Sequence, residues 1–165
     1  MKLYIDFDHT IFNTDLFQKE IQGIDKNLDL QNDLKKLKEI IETNNINLEK
    51  YLYPDTIPFF EKYKDKYILI LLTKSNNHNA YQLFKILDTK ISNYFQEIII
   101  IKTNLKGELD LDYQNSIFID DDPKELESIK KRNPYDIIRL KRGKHEDEIL
   151  KTNIKEVTNL LEIKL

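Results

Sequence analysis

Apolar residues in this chain gather into short continuous runs separated by stretches of helical periodicity. Five runs read as strands: Lys2–Phe7, Tyr67–Leu72, Glu97–Ile101, Ser116–Ile119 and Asp136–Leu140. Most are continuously apolar rather than alternating, the pattern of parallel strands covered on both faces. Ala80–Leu87 places Leu83, Phe84 and Leu87 on one helical face, and Pro123–Lys131 opens with proline at a first-turn position. The amphipathic stretch Ile154–Leu161 reads as a terminal helix. Strands alternating with helices predict a doubly wound, mainly parallel five-stranded α/β sheet.

One gap breaks this rhythm. The first two strands are separated by about sixty residues, too many for one crossover helix. Leu28–Ile41 carries apolar residues at 30, 34, 37, 40 and 41, with Lys35, Lys36 and Lys38 on the other side. Asp15–Ile24 reads as another helix, Tyr51-Leu52-Tyr53-Pro54 closes the excursion, and a helix over Thr56–Tyr63 leads back to the sheet. The expected organisation is a core of residues 1–13 and 54–165 with a small helical cap, 14–53, above the end of the first strand.

Composition narrows the classes. A chain of 165 residues, 40% hydrophobic and 33% charged, suffices for one domain with a full core and a small insertion. Its net charge of −3 lacks the basic footprint of nucleic-acid binders, so nucleic acid is not an expected partner. There is no cysteine, which excludes disulfides, thiolate zinc sites and cysteine nucleophiles. No apolar run reaches the length of a membrane span, and the N-terminal stretch reads as a strand rather than a signal peptide. Cytoplasmic residence is the expectation.

The candidate chemistry lies where the strands run out. Asp6, Asp8 and Thr10 follow the first strand. Two carboxylates so close to a sheet repel each other, and burial raises the cost of ionising both; a divalent cation or a shared proton relieves it. The second strand ends in Thr73-Lys74-Ser75, the third is followed by Lys102 and Lys106, and the fourth ends in Asp120-Asp121-Asp122-Pro123. Every member of this ordered set falls at the carboxyl end of an expected strand, the edge at which open α/β sheets bind ligands.

In Asp6-Phe7-Asp8-His9-Thr10, Leu71-Leu72-Thr73, Lys106 and Phe118-Ile119-Asp120-Asp121, taken in order, the chain resembles the haloacid dehalogenase (HAD) superfamily, in its phosphatase branch. The resemblance implies a HAD-like core, with the helical insertion as its cap. It implies a Mg²⁺-dependent phosphatase in which Asp6 is the nucleophile, forming an aspartyl-phosphate, and Asp8 the general acid and base. Mg²⁺ would sit between Asp6, the backbone carbonyl of Asp8, and Asp120, with Asp121 helping directly or through water. Thr73 would hydrogen-bond a phosphoryl oxygen, with Lys74 and Thr10 also on the substrate, and a lysine would neutralise charge at Asp6 and the phosphoryl group. The KGEL segment favours Lys106 for that role, with Gly107 freeing the backbone beside it, and Lys102 is the alternative. Asp8 favours phosphate chemistry, because a halide leaves without a proton. The expected substrate is a small phosphorylated metabolite or nucleotide.

Other residues are less specific. His9 occupies a variable position of the first motif, His78 follows the second, and Asp122 suits a cap of the next helix or the surroundings of the metal. Arg139, Lys141, Arg142 and Lys144 read as a solvated charge run. Phosphotransfer uses the same residues as hydrolysis, and a non-catalytic HAD-fold binding protein is a further alternative. A phosphorelay receiver domain fits poorly, since it needs an aspartate after its third strand, where Lys102 stands.

Overall fold

The computed structural model describes residues 1–165. Its chain order is β1 (Lys2–Ile5), α1 (Thr14–Ile24), α2 (Leu34–Thr43), α3 (Thr56–Tyr63), β2 (Ile68–Lys74), α4 (Asn79–Asp88), β3 (Glu97–Ile101), β4 (Ser116–Asp120), α5 (Pro123–Lys130), β5 (Asp136–Leu140) and β6 (Lys155–Val157). All six strands are parallel, in the spatial order β3-β2-β1-β4-β5-β6. β1 lies at the centre, with Tyr4 opposite Ile70 on one side and Phe118 on the other.

Side chains alternate across this sheet, as the pleat requires. Leu3, Ile5, Leu69, Leu71, Ile117 and Ile119 face one way, into a core shared with α1, α2 and α3. Tyr4, Ile70, Leu72 and Phe118 face the other way, onto Leu126 and Ile129 of α5. There the Tyr4 and Phe118 rings stack at 4.8 Å, and Tyr113 stacks on Phe118 at 5.4 Å. Covering both faces explains why these strands read as unbroken apolar runs.

The insertion between β1 and β2 shares the first of these cores. Phe17, Ile21, Leu37, Ile41, Leu48 and Tyr51 belong to the same buried cluster as Ile5, Phe7 and Phe12. Its two ends are tied side by side: the Asn13 N–H donates to the Tyr51 carbonyl at 2.7 Å and the Tyr53 N–H to Ile11 at 3.1 Å. No helix is long and apolar enough to cross a membrane.

Three elements differ from the sequence reading. The sheet has six strands rather than five, because part of Ile154–Leu161 is the strand β6 and not a helix. β-branched Ile154 and Val157 are buried there, and the open edge of β5 supplies backbone partners that an isolated helix would not use. The helix expected over Leu28–Ile41 begins only at Leu34. The Asp29 carboxylate accepts from the Gln31 and Asn32 N–H groups and holds a turn, after which Asp33 caps α2 through Lys36 N–H. Finally, α4 is rotated from its expected face: Tyr81, Gln82, Lys85 and Ile86 are buried, whereas Leu83 and Leu87 are exposed.

The turn Lys106–Glu108 lies directly on α5. A Cβ on Gly107 would stand 2.2 Å from the Ser128 carbonyl oxygen, and the Gly107 N–H donates to Ser128 Oγ at 3.0 Å. Only glycine permits that approach. Gly107→Ala is expected to destabilise the fold by about 1–3 kcal/mol, the usual cost of overpacking, read as a lower midpoint in urea denaturation. An unchanged midpoint would show that the turn lifts off α5 without cost.

Candidate active site

β1 and β4 are neighbours, and each ends in a carboxylate. The Asp6 N–H continues the ladder by donating to the Ile119 carbonyl at 3.0 Å, and Asp120 is the last residue of β4. Their side chains therefore converge at the carboxyl end of the sheet, between the strands where the order reverses direction, the general ligand position in open α/β folds. Asp121 joins them. Carboxylate oxygens of Asp6, Asp120 and Asp121 lie within 4.8 Å of one another, and all three residues are buried.

Lys106 stands between two of these acids. Its Nζ is 2.5 Å from Asp6 Oδ1 and 2.6 Å from Asp120 Oδ2. The turn that carries it is gripped from several sides: Lys106 N–H donates to Glu125 Oε2 at 2.7 Å, and the Tyr113 hydroxyl donates to the Lys106 carbonyl at 2.7 Å. Glu125 is itself paired with Lys74, 3.1 Å from its Oε1. Lys102, the alternative, is exposed.

Burial dominates the electrostatics of the acidic cluster. It pushes the Asp6 carboxyl up to about 8, against the opposing pull of Lys106 and with the help of Asp120. Asp120 and Asp121 are raised for the same first reason, Asp121 strongly. Burial works against the charge of Lys106, but the Asp120 and Asp6 carboxylates outweigh it and hold the ammonium above the ordinary lysine range. Asp121 Oδ1 accepts from the Thr10 hydroxyl at 2.9 Å, whereas its Oδ2 is buried without a hydrogen-bond partner. A buried oxygen trio with one orphaned atom and raised proton affinity fits a hard divalent cation such as Mg²⁺.

Asp8 behaves differently. Burial favours its neutral form, but Lys85, then Thr14 and Gln82, outweigh it and hold the carboxyl below its ordinary value. Its Oδ1 receives the Thr14 hydroxyl at 2.5 Å and Lys85 Nζ at 2.5 Å, and its Oδ2 receives Gln82 Nε2 at 2.7 Å. Its side chain lies outside the acidic trio.

A cleft of 410 Å³ brings most of the sequence-derived residues together: Asp6, Asp8, Thr73, Lys74, Lys106, Asp120 and Asp121 all line it. Thr10 does not; it lies fully buried behind Asp121. Asp122 caps α5 by accepting the Lys124 N–H at 2.8 Å. His78 precedes α4 and is half-buried outside the cleft, whereas His9 lines it in a left-handed conformation (φ 60°). A wider groove of 670 Å³, around Tyr53, Ile57 and Tyr94, lies elsewhere and holds none of these groups.

The basic stretch after β5 corrects the sequence reading. Arg139 is buried, pairing with Glu156 at 2.7 Å and donating to the His145 carbonyl at 2.5 Å. Arg142 grips Asp55 through two contacts of 2.9 and 2.7 Å and also donates to the Thr10 carbonyl. These two form internal ion pairs rather than a solvated run; Lys144 alone of the four is exposed, at the rim of the cleft. The residues that sequence reasoning missed are Gln82, Lys85, His145 and Glu125, all of which line the cleft. The signal for the first two was present: on α4 they are polar side chains one turn apart on the face beside Tyr81 and Ile86.

No protein-family model matches the chain, and no curated protein matches it in sequence. Solved structures do match in fold. A haloacid dehalogenase-like hydrolase of Burkholderia xenovorans LB400 aligns over 97% of this chain and 93% of its own, at 12% identity and a TM-score of 0.74. The haloacid dehalogenase-like family protein SP0104 of Streptococcus pneumoniae aligns over 98% and 95%, at 14% identity and a TM-score of 0.65. The HAD-hydrolase YfnB of Bacillus subtilis, whose structure has magnesium bound, aligns over 98% and 95%, at 14% identity and a TM-score of 0.62. With the strand order, the inserted helices and the acidic strand ends already established, these matches show that the chain has the haloacid dehalogenase-like hydrolase fold.

Proposed function

We propose that the protein is a Mg²⁺-dependent phosphatase that hydrolyses a small phosphomonoester through an aspartyl-phosphate on Asp6. The observation that carries this reading is the Asp6 carboxylate, held 2.5 Å from Lys106 in a cleft that Thr73 and Asp8 also line. A halide leaves without a proton, whereas an alkoxide needs one, so Asp8 in the cleft supports phosphate-ester chemistry over dehalogenation. Asp6, Asp120 and Asp121 would hold the ion, with the Asp8 carbonyl as a further ligand. When bound, Mg²⁺ supplies charge neutralisation at the phosphoryl oxygens and tolerance of the clustered carboxylates.

The chain's own residues divide the remaining work. An Asp6 oxygen attacks phosphorus and the P–O bond to the leaving group breaks, so the displacement proceeds in two steps rather than one. Thr73 donates its hydroxyl to a phosphoryl oxygen, and Lys106 balances the negative charge that gathers as the bond order changes. Asp8 in the free protein is held as a carboxylate, the form that takes a proton from the water that cleaves the aspartyl-phosphate. The negative charge of an entering phosphate raises its proton affinity, which prepares it to protonate the leaving oxygen in the first step. A cleft of this size and polarity suits a small phosphorylated metabolite or nucleotide as substrate.

Phosphate release with Mg²⁺, across sugar phosphates, nucleotides and aryl phosphates, tests the reading. Asp6→Asn is expected to abolish turnover while keeping the fold; full activity in that variant would remove the covalent mechanism. Lys106→Ala should lower kcat by roughly 10²–10³-fold, as expected for a lost charge-stabilising donor, while Lys102→Ala, exposed and remote, should leave the rate within about twofold, inside the range of ordinary surface substitutions.

Metal binding gives a separate expectation. In metal-free protein the folded Asp6 carboxyl titrates at about 8, whereas unfolded carboxyls titrate at about 4. Across that window the folded state retains protons that the unfolded chain has released, so its stability falls as pH rises. Melting of the metal-free protein should therefore drop between about pH 4 and pH 8, the window set by those two values. Mg²⁺ should restore it most at the upper end, where ligand deprotonation costs least. Asp120→Asn should remove most of the Mg²⁺ effect; an equal Mg²⁺ shift in that variant would place the ion elsewhere.

A further inference from the structure

Two polar side chains on α4 are buried where apolar ones would be cheaper to hold. Lys85 is 1% exposed and Gln82 is 2% exposed. The Lys85 ammonium lies over the rings of Tyr81, Phe7 and Phe12, at 4.7, 5.2 and 5.6 Å from their centroids, and its hydrogen bond goes to Asp8 Oδ1 at 2.5 Å. Gln82 reaches further along the same face of the helix. Its Nε2 donates both to Asp8 Oδ2 at 2.7 Å and to Thr73 Oγ1 at 2.8 Å. Replacing a buried ion pair by apolar packing is commonly neutral or stabilising, so stability alone does not account for this arrangement.

The geometry constrains two groups at once. Because Thr73 Oγ1 accepts from Gln82, the hydroxyl proton of Thr73 points away from Gln82 and is free to be donated elsewhere. Because Asp8 receives Thr14 and Lys85 on one oxygen and Gln82 on the other, its carboxylate plane is fixed. The turn between β2 and α4 holds Asn76 and Asn77 in left-handed conformations (φ 49° and 73°) that asparagine tolerates better than most residues.

We propose that Gln82 and Lys85 are positioning residues, acting through Asp8 and Thr73: Gln82 locks the phosphoryl-binding hydroxyl and the acid–base carboxylate into one unit, and Lys85 anchors that unit to α4. The inference rests on the phosphatase reading above. It assigns to α4, outside the four motifs, control over proton delivery to the leaving group. No bond to either residue forms or breaks; the proton passes between Asp8 and the leaving oxygen.

The test compares two aryl esters that differ only by a para nitro group, p-nitrophenyl phosphate and phenyl phosphate, with Mg²⁺, by kcat/KM, which reports the step in which the leaving group departs. The nitrophenolate leaves with little help from a proton and the phenolate needs more. Gln82→Met and Lys85→Met are expected to lose roughly tenfold or more on phenyl phosphate beyond their loss on p-nitrophenyl phosphate, a part of the 10²–10⁴-fold that a general acid contributes. Lys85→Arg, which keeps the charge and the donors, should recover much of that difference. Circular dichroism establishes that each variant is folded. Should Lys85→Met not fold, Gln82→Met and the shorter Gln82→Asn carry the same test without removing a charge. Equal losses on both esters would mean that α4 merely supports the structure, and would overturn the proposal while leaving the phosphatase reading intact. Release of phosphate by the unaltered protein from neither ester nor from any sugar phosphate or nucleotide, with Mg²⁺ shown to bind by calorimetry, would overturn both.

Discussion

The ammonium of Lys106 is what allows β1 and β4 to end side by side. Each strand delivers a buried carboxylate to the same point, and two such charges in a poorly hydrated site repel strongly. A single cation at 2.5 and 2.6 Å from the two oxygens converts that repulsion into a bridged pair. Removing one partner of a buried charge group typically costs several kcal/mol, because the other is left uncompensated. The means of holding Lys106 are correspondingly elaborate: Glu125 fixes its N–H, Tyr113 its carbonyl, and Gly107 lets its turn rest on α5.

From this constraint the architecture of the cleft follows. Parallel pairing of β1 with both β2 and β4 puts Thr73, Asp6 and Asp120 at the ends of three consecutive strands of the sheet. The inserted helices pack their apolar faces into the sheet's own core, and they bring Thr14, Asp15 and Gln18 to the wall of the cleft. Arg142 ties the loop after β5 to Asp55 and to the Thr10 carbonyl, joining the far side of the cleft to the first-motif loop. Gly143, with φ at 66°, completes this closure: a Cβ there would stand 2.7 Å from the His9 Cβ.

Much of this was legible in the sequence because strands buried on both faces must be apolar throughout, so their ends stand out wherever polar residues begin. Asp6, Asp8, Thr73 and Asp120 were visible for that reason. Helix α4 was misread for the opposite reason. Reading its buried face from apolar periodicity selected Leu83 and Leu87, but the face that is buried carries Gln82 and Lys85, hydrogen-bonded to Asp8, and apolar periodicity passes over polar side chains one turn apart. The charged residues after β5 were misread similarly, since the partners that bury Arg139 and Arg142 are Glu156 and Asp55, distant in sequence. β6 escaped because three residues are too short a strand to carry a pattern, and pairing along the open edge of β5 is what defines it.

Two of the ion-paired groups in the cleft differ in how their charges close. Asp8 and Lys85 balance each other, one carboxylate to one ammonium. Asp6, Asp120 and Asp121 share the single ammonium of Lys106, so when ionised they retain two formal negative charges. That deficit equals the charge of one divalent cation, and it falls where Asp121 has an oxygen without a partner. Burial raises the proton affinity of all three carboxyls, Lys106 opposing it only in part, whereas Lys85, Thr14 and Gln82 outweigh burial at Asp8 and lower it. The same accounting fits the division of duties in the proposed reaction: the trio carries the charge that a divalent cation would neutralise, and Asp8, balanced by Lys85, would keep its side chain for proton transfer.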